Sequence, residues 1–166
     1  IYTYLKGVTS LSTLVGAIPG AIPPMIGWAG VTGTVELPAV LLFLIMFVWQ
    51  PPHFLALALL RKKEYDAAGL VMLPNEIDDA AAVRQIVIYS AVLLPLSLVP
   101  VEIGMAGSFY FGVATVLGGL FLGLGALGLK PSVRQKTSWS RGLFIFSIVH
   151  LTVLFTGFLV DPGGLS

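Results

Sequence analysis

Two short segments carry the side chains best suited to chemistry, WQPPHF at 49–54 and RKKEYD at 61–66. A helix turns about 100° per residue, so four of their polar residues would fall within roughly 80° of one another: Gln50, His53, Arg61 and Glu64. Arginine and lysine bind phosphate oxygens, and carboxylates hold Mg²⁺. The spacing therefore predicts one polar face suited to a multiply charged anion, with a hard cation bridging a diphosphate.

Simpler explanations exist for the same residues. His53 lies about seven residues, or roughly 10 Å of helix, inside the charged edge. It is either a substrate contact or heme ligand, or a neutral histidine bonded to a carbonyl that Pro51 and Pro52 leave free. The three cations 61–63 either bind phosphate or snorkel to lipid headgroups. That second explanation does not account for the acids Glu64 and Asp66, which contribute little to topology.

The composition indicates the setting for this polar face. Of the 166 residues, 57% are hydrophobic and 10% are charged, whereas soluble domains carry about 25% charged residues. An ordinary soluble enzyme and a disordered chain are both excluded. The net charge of +1 excludes a nucleic-acid binder that works by bulk electrostatics, and the absence of cysteine excludes disulfides and thiolate metal sites.

Long stretches without charged residues predict an all-α, polytopic transmembrane helix bundle that forms one domain over residues 1–166. About five spans are expected, at 11–30, 38–60, 84–101, 108–129 and 142–160, with cytoplasmic loops at 61–83 and 130–141. All nine lysines and arginines fall on one side of this arrangement. By the positive-inside rule, that side faces the cytoplasm.

Small and kinking residues predict close packing and cavities within the bundle. The pairs Gly16/Gly20 and Gly119/Gly123 have the four-residue spacing that brings membrane helices together. Prolines inside spans free carbonyls and often line cavities. Lys6, Ser12 and the loop 130–141 are expected at the same cytoplasmic mouth, where that basic loop could bind phosphate but is better explained as a solvated surface. His150 is predicted to pack inside the last span.

The motifs resemble those of heme O synthases (protoheme IX farnesyltransferases), a branch of the UbiA superfamily of intramembrane prenyltransferases. The resemblance rests on four runs: GAIPPMIGW at 20–28, WQPPHF with ALA at 49–58, K-x-E-Y-x-x-A-G followed by MLP at 62–74, and RQI with Tyr89 at 84–89. The stretch from Leu143 to Asp161 also fits. The WQPPHF run with the downstream EYxxAG is the most specific of these signals.

This resemblance implies a reaction and a set of site residues. Farnesyl diphosphate would lose its diphosphate, and its allylic carbon would be captured by a vinyl group of heme B, giving heme O. Glu64 and Lys62 are the implied catalytic residues, and Glu64 and Asp66 the implied Mg²⁺ ligands. The implied substrate contacts are Arg61, Lys63, Tyr65, Asp66, Lys6, Trp49, Gln50 and His53. The implied surroundings are a bacterial inner (plasma) membrane rather than a mitochondrial one, with heme A synthase or oxidase assembly proteins as partners.

Departures from the family pattern leave other functions open. Nine spans and an N-x-x-x-D-x-x-x-D motif are expected of the family, whereas five spans and no such motif are found here. An acidic stretch, 75–79, replaces a more basic one. The chain, which starts at Ile1, is expected to be the C-terminal half of the enzyme, inactive alone. The alternatives are another UbiA-type aromatic prenyltransferase, a transporter fragment or a non-catalytic membrane subunit.

Overall fold

Every long apolar segment that the structure describes is a helix. The computed structural model describes residues 11–67 and 78–163, apart from the side chains of 11–15, 63 and 65–67. In chain order the helices are α1 (Leu11–Thr32), α2 (Leu37–Ala67), α3 (Asp79–Glu102), α4 (Ser108–Leu127), the single turn α5 (Pro131–Arg134) and α6 (Thr137–Val160). Helices satisfy their backbone groups internally, as a lipid environment requires, so the predicted all-α bundle is confirmed.

Four of these helices are long and apolar enough to cross a membrane: α2 over Leu37–Lys62, α3, α4 and α6. The chain is therefore a multi-pass membrane protein. The first predicted span, 11–30, lies within the 22-residue helix α1, and its crossing of the membrane stays a prediction. Helices α3 and α6 begin five residues before the predicted spans, at Asp79 and Thr137. A charged residue ends a hydrophobic span but does not end a helix.

The four spanning helices pack in a ring, in which α2 contacts α3, α3 contacts α4, α4 contacts α6, and α6 closes back on α2. Helix α1 packs against the outside of α2. The ring encloses a core of fully buried side chains that includes Ile45, Ile86, Leu93, Tyr110, Phe121, Leu143 and Leu154. His150 is also fully buried and lies beside Phe121, at 5.2 Å between ring centroids. The prediction that this histidine packs inside the bundle is confirmed.

Glycines permit the close approach of these helices, but only some of them are the predicted ones. A Cβ atom added to Gly20 would lie 2.9 Å from Oε1 of Gln50, which confirms Gly20 as a contact between α1 and α2. The predicted pair Gly119/Gly123 makes no such contact within the described part of the chain, where nothing lies within 4 Å of a Cβ at either position. The interior glycines of α4 are instead Gly118, which faces Leu94, and Gly125, which faces Ile86.

The start of α4 and the end of α6 are tied together by polar contacts. Asp161 accepts a hydrogen bond at 2.9 Å from the backbone N–H of Tyr110 through its carboxylate. Its carbonyl oxygen accepts a second one, at 3.2 Å, from the N–H of Gly107. Both donors belong to the start of α4, whose first N–H groups have no partner within the helix. A negative charge there also complements the helix dipole.

Replacing Gly118 with leucine should lower the thermal stability of the protein, because the added atoms meet Leu94 and overpacking costs about 1–3 kcal/mol. Gly119→Leu is the matched control, since it also removes a helical glycine but points into open space. Thermal unfolding midpoints in detergent compare the two variants. Equal midpoints would contradict the packing of α4 on α3.

Candidate functional site

The predicted polar residues lie on helix α2, which continues through Pro51 and Pro52. Trp49 and His53 are four residues apart, so they lie on the same face of α2. Their rings stack with centroids 4.4 Å apart and planes 20° apart. Phe144, on α6, also stacks on His53, at 4.9 Å. Two aromatic rings therefore fix the plane of the His53 imidazole.

Ser147 on α6 is the hydrogen-bond partner of both Trp49 and His53. The indole N–H of Trp49 donates to the carbonyl oxygen of Ser147 at 2.8 Å. Nδ1 of His53 lies 2.8 Å from the hydroxyl oxygen of Ser147, which is itself fully buried. The predicted partner of His53, a carbonyl freed by the prolines, is wrong: the partner is a hydroxyl on another helix. We call Trp49, His53, Phe144 and Ser147 the histidine cluster.

Gln50 does not share the surroundings of His53. It is buried against α1, where Gly20 leaves room for its amide, whereas His53 contacts α6. The two residues are about 60° apart around α2, which is enough to place them beside different helices. The predicted single polar face is therefore divided between two neighbours inside the bundle.

The C-terminal end of α2 carries two ion pairs. Arg61 pairs with Glu64, one turn further along the same helix. Nζ of Lys62 lies 2.5 Å from Oδ1 of Asp79, the first residue of α3. The side chains of the second pair are 35% and 38% exposed, so this pair contributes at most about 1 kcal/mol to stability. Both predicted catalytic side chains, Glu64 and Lys62, thus have partners of opposite charge.

Several predicted site residues lie outside the description. Lys6 precedes the described residues, and the side chains of Lys63, Tyr65 and Asp66 are not described. Their roles stay predictions. Within residues 11–67 and 78–163, no three carboxylate or histidine side chains come close enough to hold a metal ion together. The described donors therefore do not form a Mg²⁺ site by themselves.

Two residues of the site were missed by sequence reasoning about chemistry. Ser147 is 94 positions from His53, and a single serine in an apolar helix gives no local signal of that contact. Asp79 was counted only as part of an acidic stretch, although its place 17 positions after Lys62 allows the two helix ends to meet across the loop.

Residues 1–148 match the UbiA prenyltransferase family. This match covers most of the chain, so the chain belongs to the UbiA prenyltransferase family.

Individual relatives carry a more specific name. The chain is 48% identical over 160 residues to "Protoheme IX farnesyltransferase" from Sorangium cellulosum (strain So ce56), covering 96% of this chain and 56% of that protein. It is 46% identical over 160 residues to the protein of the same name from Myxococcus xanthus (strain DK1622), covering 96% of this chain and 54% of that protein. The chain thus spans about half the length of these relatives. No solved structure matches the chain.

Trp49→Phe should destabilise the protein, because phenylalanine keeps a stacking ring but loses a hydrogen bond worth about 0.5–1.5 kcal/mol. Trp28→Phe is the matched control, since the Nε1 of Trp28 is buried and has no hydrogen-bond partner in the described residues. Thermal unfolding in detergent should show the larger loss for Trp49→Phe. A larger loss for Trp28→Phe would contradict the contact with Ser147.

Proposed function

We propose that the chain is part of a heme O synthase, which transfers the farnesyl group of farnesyl diphosphate to a vinyl group of heme B. In this reaction the allylic C–O bond breaks and diphosphate leaves. The vinyl group forms the new C–C bond, and water adds to the resulting cation with loss of a proton. The observation that carries the proposal is the 46–48% identity to two protoheme IX farnesyltransferases over 96% of this chain.

The charge and position of the side chains where α2 ends and α3 begins suit a diphosphate site at the cytoplasmic side of the membrane. Arg61 and Lys62 are cations at the boundary of an apolar bundle, where phosphate oxygens attract them more strongly than in water. The leaving diphosphate gains negative charge as the C–O bond breaks, and cations that face it stabilise that charge. The farnesyl chain would then extend between the apolar helices, which shield the allylic cation from water.

Lys62 must change partner to take part in this reaction. Its ammonium group lies against Asp79, and a diphosphate carries more negative charge than one carboxylate. We therefore propose that diphosphate displaces Asp79 from Lys62 when it binds. Tyr65, Lys63 and Lys6 complete the proposed phosphate contacts, and Asp66 would act on the diphosphate through Mg²⁺.

Mg²⁺ remains part of the proposal as the ion that would neutralise the diphosphate. Glu64 and Asp66 would supply only part of its ligands, because the described residues bring no three suitable side chains together. Carboxylates from elsewhere in the whole protein would have to complete the set.

Heme B would approach from the lipid side of the same helices. Trp49, Gln50 and His53 lie on α2 inside the membrane span, where a hydrophobic porphyrin partitions. We propose a bacterial inner membrane as the location, since both relatives named above are bacterial proteins. Heme A synthase and oxidase assembly proteins, which use heme O or its product, are the proposed partners.

Mass spectrometry of extracted hemes tests the activity. Cells that lack their own heme O synthase should accumulate heme O when they express the full-length gene containing this chain. Accumulation of another prenylated aromatic compound, with heme B unchanged, would contradict the proposal in favour of another UbiA-type prenyltransferase. Transport of a substrate without any new product would favour the transporter alternative.

Glu64→Gln in the full-length protein should lower heme O formation by at least about tenfold, because it removes a negative charge from the proposed Mg²⁺-diphosphate site. Glu36→Gln is the matched control. Glu36 lies between α1 and α2, at the opposite end of α2, and contacts only Thr34 through its side chain in the described residues. Unchanged turnover in Glu64→Gln, with normal membrane insertion, would remove Glu64 from the site.

Asp79→Asn should lower the KM for farnesyl diphosphate by about two- to fivefold, which corresponds to the loss of a competing ion pair worth up to about 1 kcal/mol. Asp78→Asn makes the same charge change at an exposed neighbour whose side chain makes no capping hydrogen bond. It should leave KM unchanged. A raised KM in Asp79→Asn alone would mean that Asp79 only anchors α3.

A further inference from the structure

The hydroxyl of Ser147 has one hydrogen and two neighbours that compete for it. Its oxygen lies 2.6 Å from the carbonyl oxygen of Phe144 and 2.8 Å from Nδ1 of His53. Two oxygens at 2.6 Å repel each other unless a hydrogen lies between them. The carbonyl has no hydrogen to give, so the hydroxyl hydrogen of Ser147 must point at Phe144.

This assignment determines the protonation of His53. With its hydrogen committed to Phe144, the Ser147 oxygen can only accept from the imidazole. Nδ1 of His53 must therefore carry a hydrogen and donate it to Ser147. In a neutral imidazole the other ring nitrogen, Nε2, then has no hydrogen and presents a lone pair in the plane of the ring.

The rest of the histidine cluster holds that lone pair in a fixed direction. Stacking with Trp49 at 4.4 Å and with Phe144 at 4.9 Å sets the plane of the ring. The bond from Nδ1 to Ser147 sets its rotation within that plane. Trp49 is bound in turn to the backbone of Ser147. Histidines that ligate metals have this arrangement, in which one nitrogen binds the metal and the other donates to a fixed acceptor.

We propose that Ser147 selects the Nδ1-protonated form of a neutral His53 imidazole, and that Nε2 of His53 is the ligand which the chain offers to the iron of its heme substrate. This rests on the proposed function for the identity of the substrate. Ser147 is thus a positioning residue, which acts through His53 and does not itself touch the heme.

Nitrogen NMR of the full-length protein, labelled with ¹⁵N-histidine and reconstituted in lipid, tests the first half without any turnover. The signals of His53 are those that disappear in the His53→Gln variant. If that variant protein does not accumulate in cells, the His53 signals are those with a nuclear Overhauser contact to the Trp49 indole. The expected result is a protonated Nδ1 and an unprotonated Nε2. A hydrogen on Nε2 in the unmodified protein would overturn the proposal.

Ser147→Ala removes the acceptor and should shift His53 toward the form protonated on Nε2. It leaves the bond from Trp49 in place, because that bond is to the backbone. Ser140→Ala is the matched control: Ser140 is a buried serine of the same helix that donates to the carbonyl three residues earlier, as Ser147 does. Its removal should leave the His53 spectrum unchanged, and Ser147→Thr, which keeps a hydroxyl, should retain the original form.

Binding of hemin tests the second half. Hemin titrated into the reconstituted protein should give the optical spectrum of an imidazole-ligated iron, and His53→Gln should abolish it. Ser147→Ala should weaken hemin binding by roughly ten- to hundred-fold, with Ser140→Ala unchanged. Equal hemin affinity in all variants would overturn the ligand role. If the cells form heme O but NMR finds a hydrogen on Nε2 of His53, the proposed function stands and only this inference is rejected. If the NMR and hemin spectra are as expected but no heme O forms, the proposed function is rejected instead.

Discussion

A polar group inside a membrane has no water to bond, so a partner within the protein stabilises it. Ser147 meets this requirement for two side chains at once, with its carbonyl bound to Trp49 and its hydroxyl facing His53. These contacts join α2 to α6 and close the ring of four spanning helices. If they were lost, the indole N–H of Trp49 and Nδ1 of His53 would be left without these partners.

The charged side chains where α2 ends and α3 begins follow the same rule in a wetter environment. Arg61 and Glu64 neutralise each other along one helix, and Lys62 and Asp79 do so between two helices. Because these side chains are partly exposed, the pairs can open at little cost. The hydrogen bonds inside the bundle therefore keep their partners, whereas the ion pairs at its edge can exchange theirs. Such exchange would suit the binding and release of a multiply charged group.

The sequence predicted helices well because its charges are clustered. Long charge-free segments indicate helices in lipid regardless of their neighbours, and α2, α3, α4 and α6 contain those segments. Packing was harder to predict, because glycines four residues apart indicate a helix face of small residues but do not show which neighbouring helix, if any, that face contacts. For this reason Gly119 and Gly123 were predicted at a contact that Gly118 and Gly125 make.

Contacts within the site were less predictable than the residues themselves. The importance of His53 followed from its depth in an apolar segment, which is a local property. Its partner, 94 positions away, depends on how α6 is rotated in the bundle. Lys62 and Asp79 meet only because α2 ends and α3 begins at the same side of the membrane. Such pairings follow from the three-dimensional arrangement and not from any motif.

The tie between Asp161 and the start of α4 has a consequence for biogenesis. The N–H group of Tyr110 receives its acceptor from a residue 51 positions later, so it emerges from the ribosome long before that acceptor is synthesised. Until α6 is in place, the N–H groups at the start of α4 depend on water at the membrane interface or on the insertion machinery. Helix α6 therefore completes a helix that was translated before it, and premature termination ahead of Asp161 would leave the start of α4 without this acceptor.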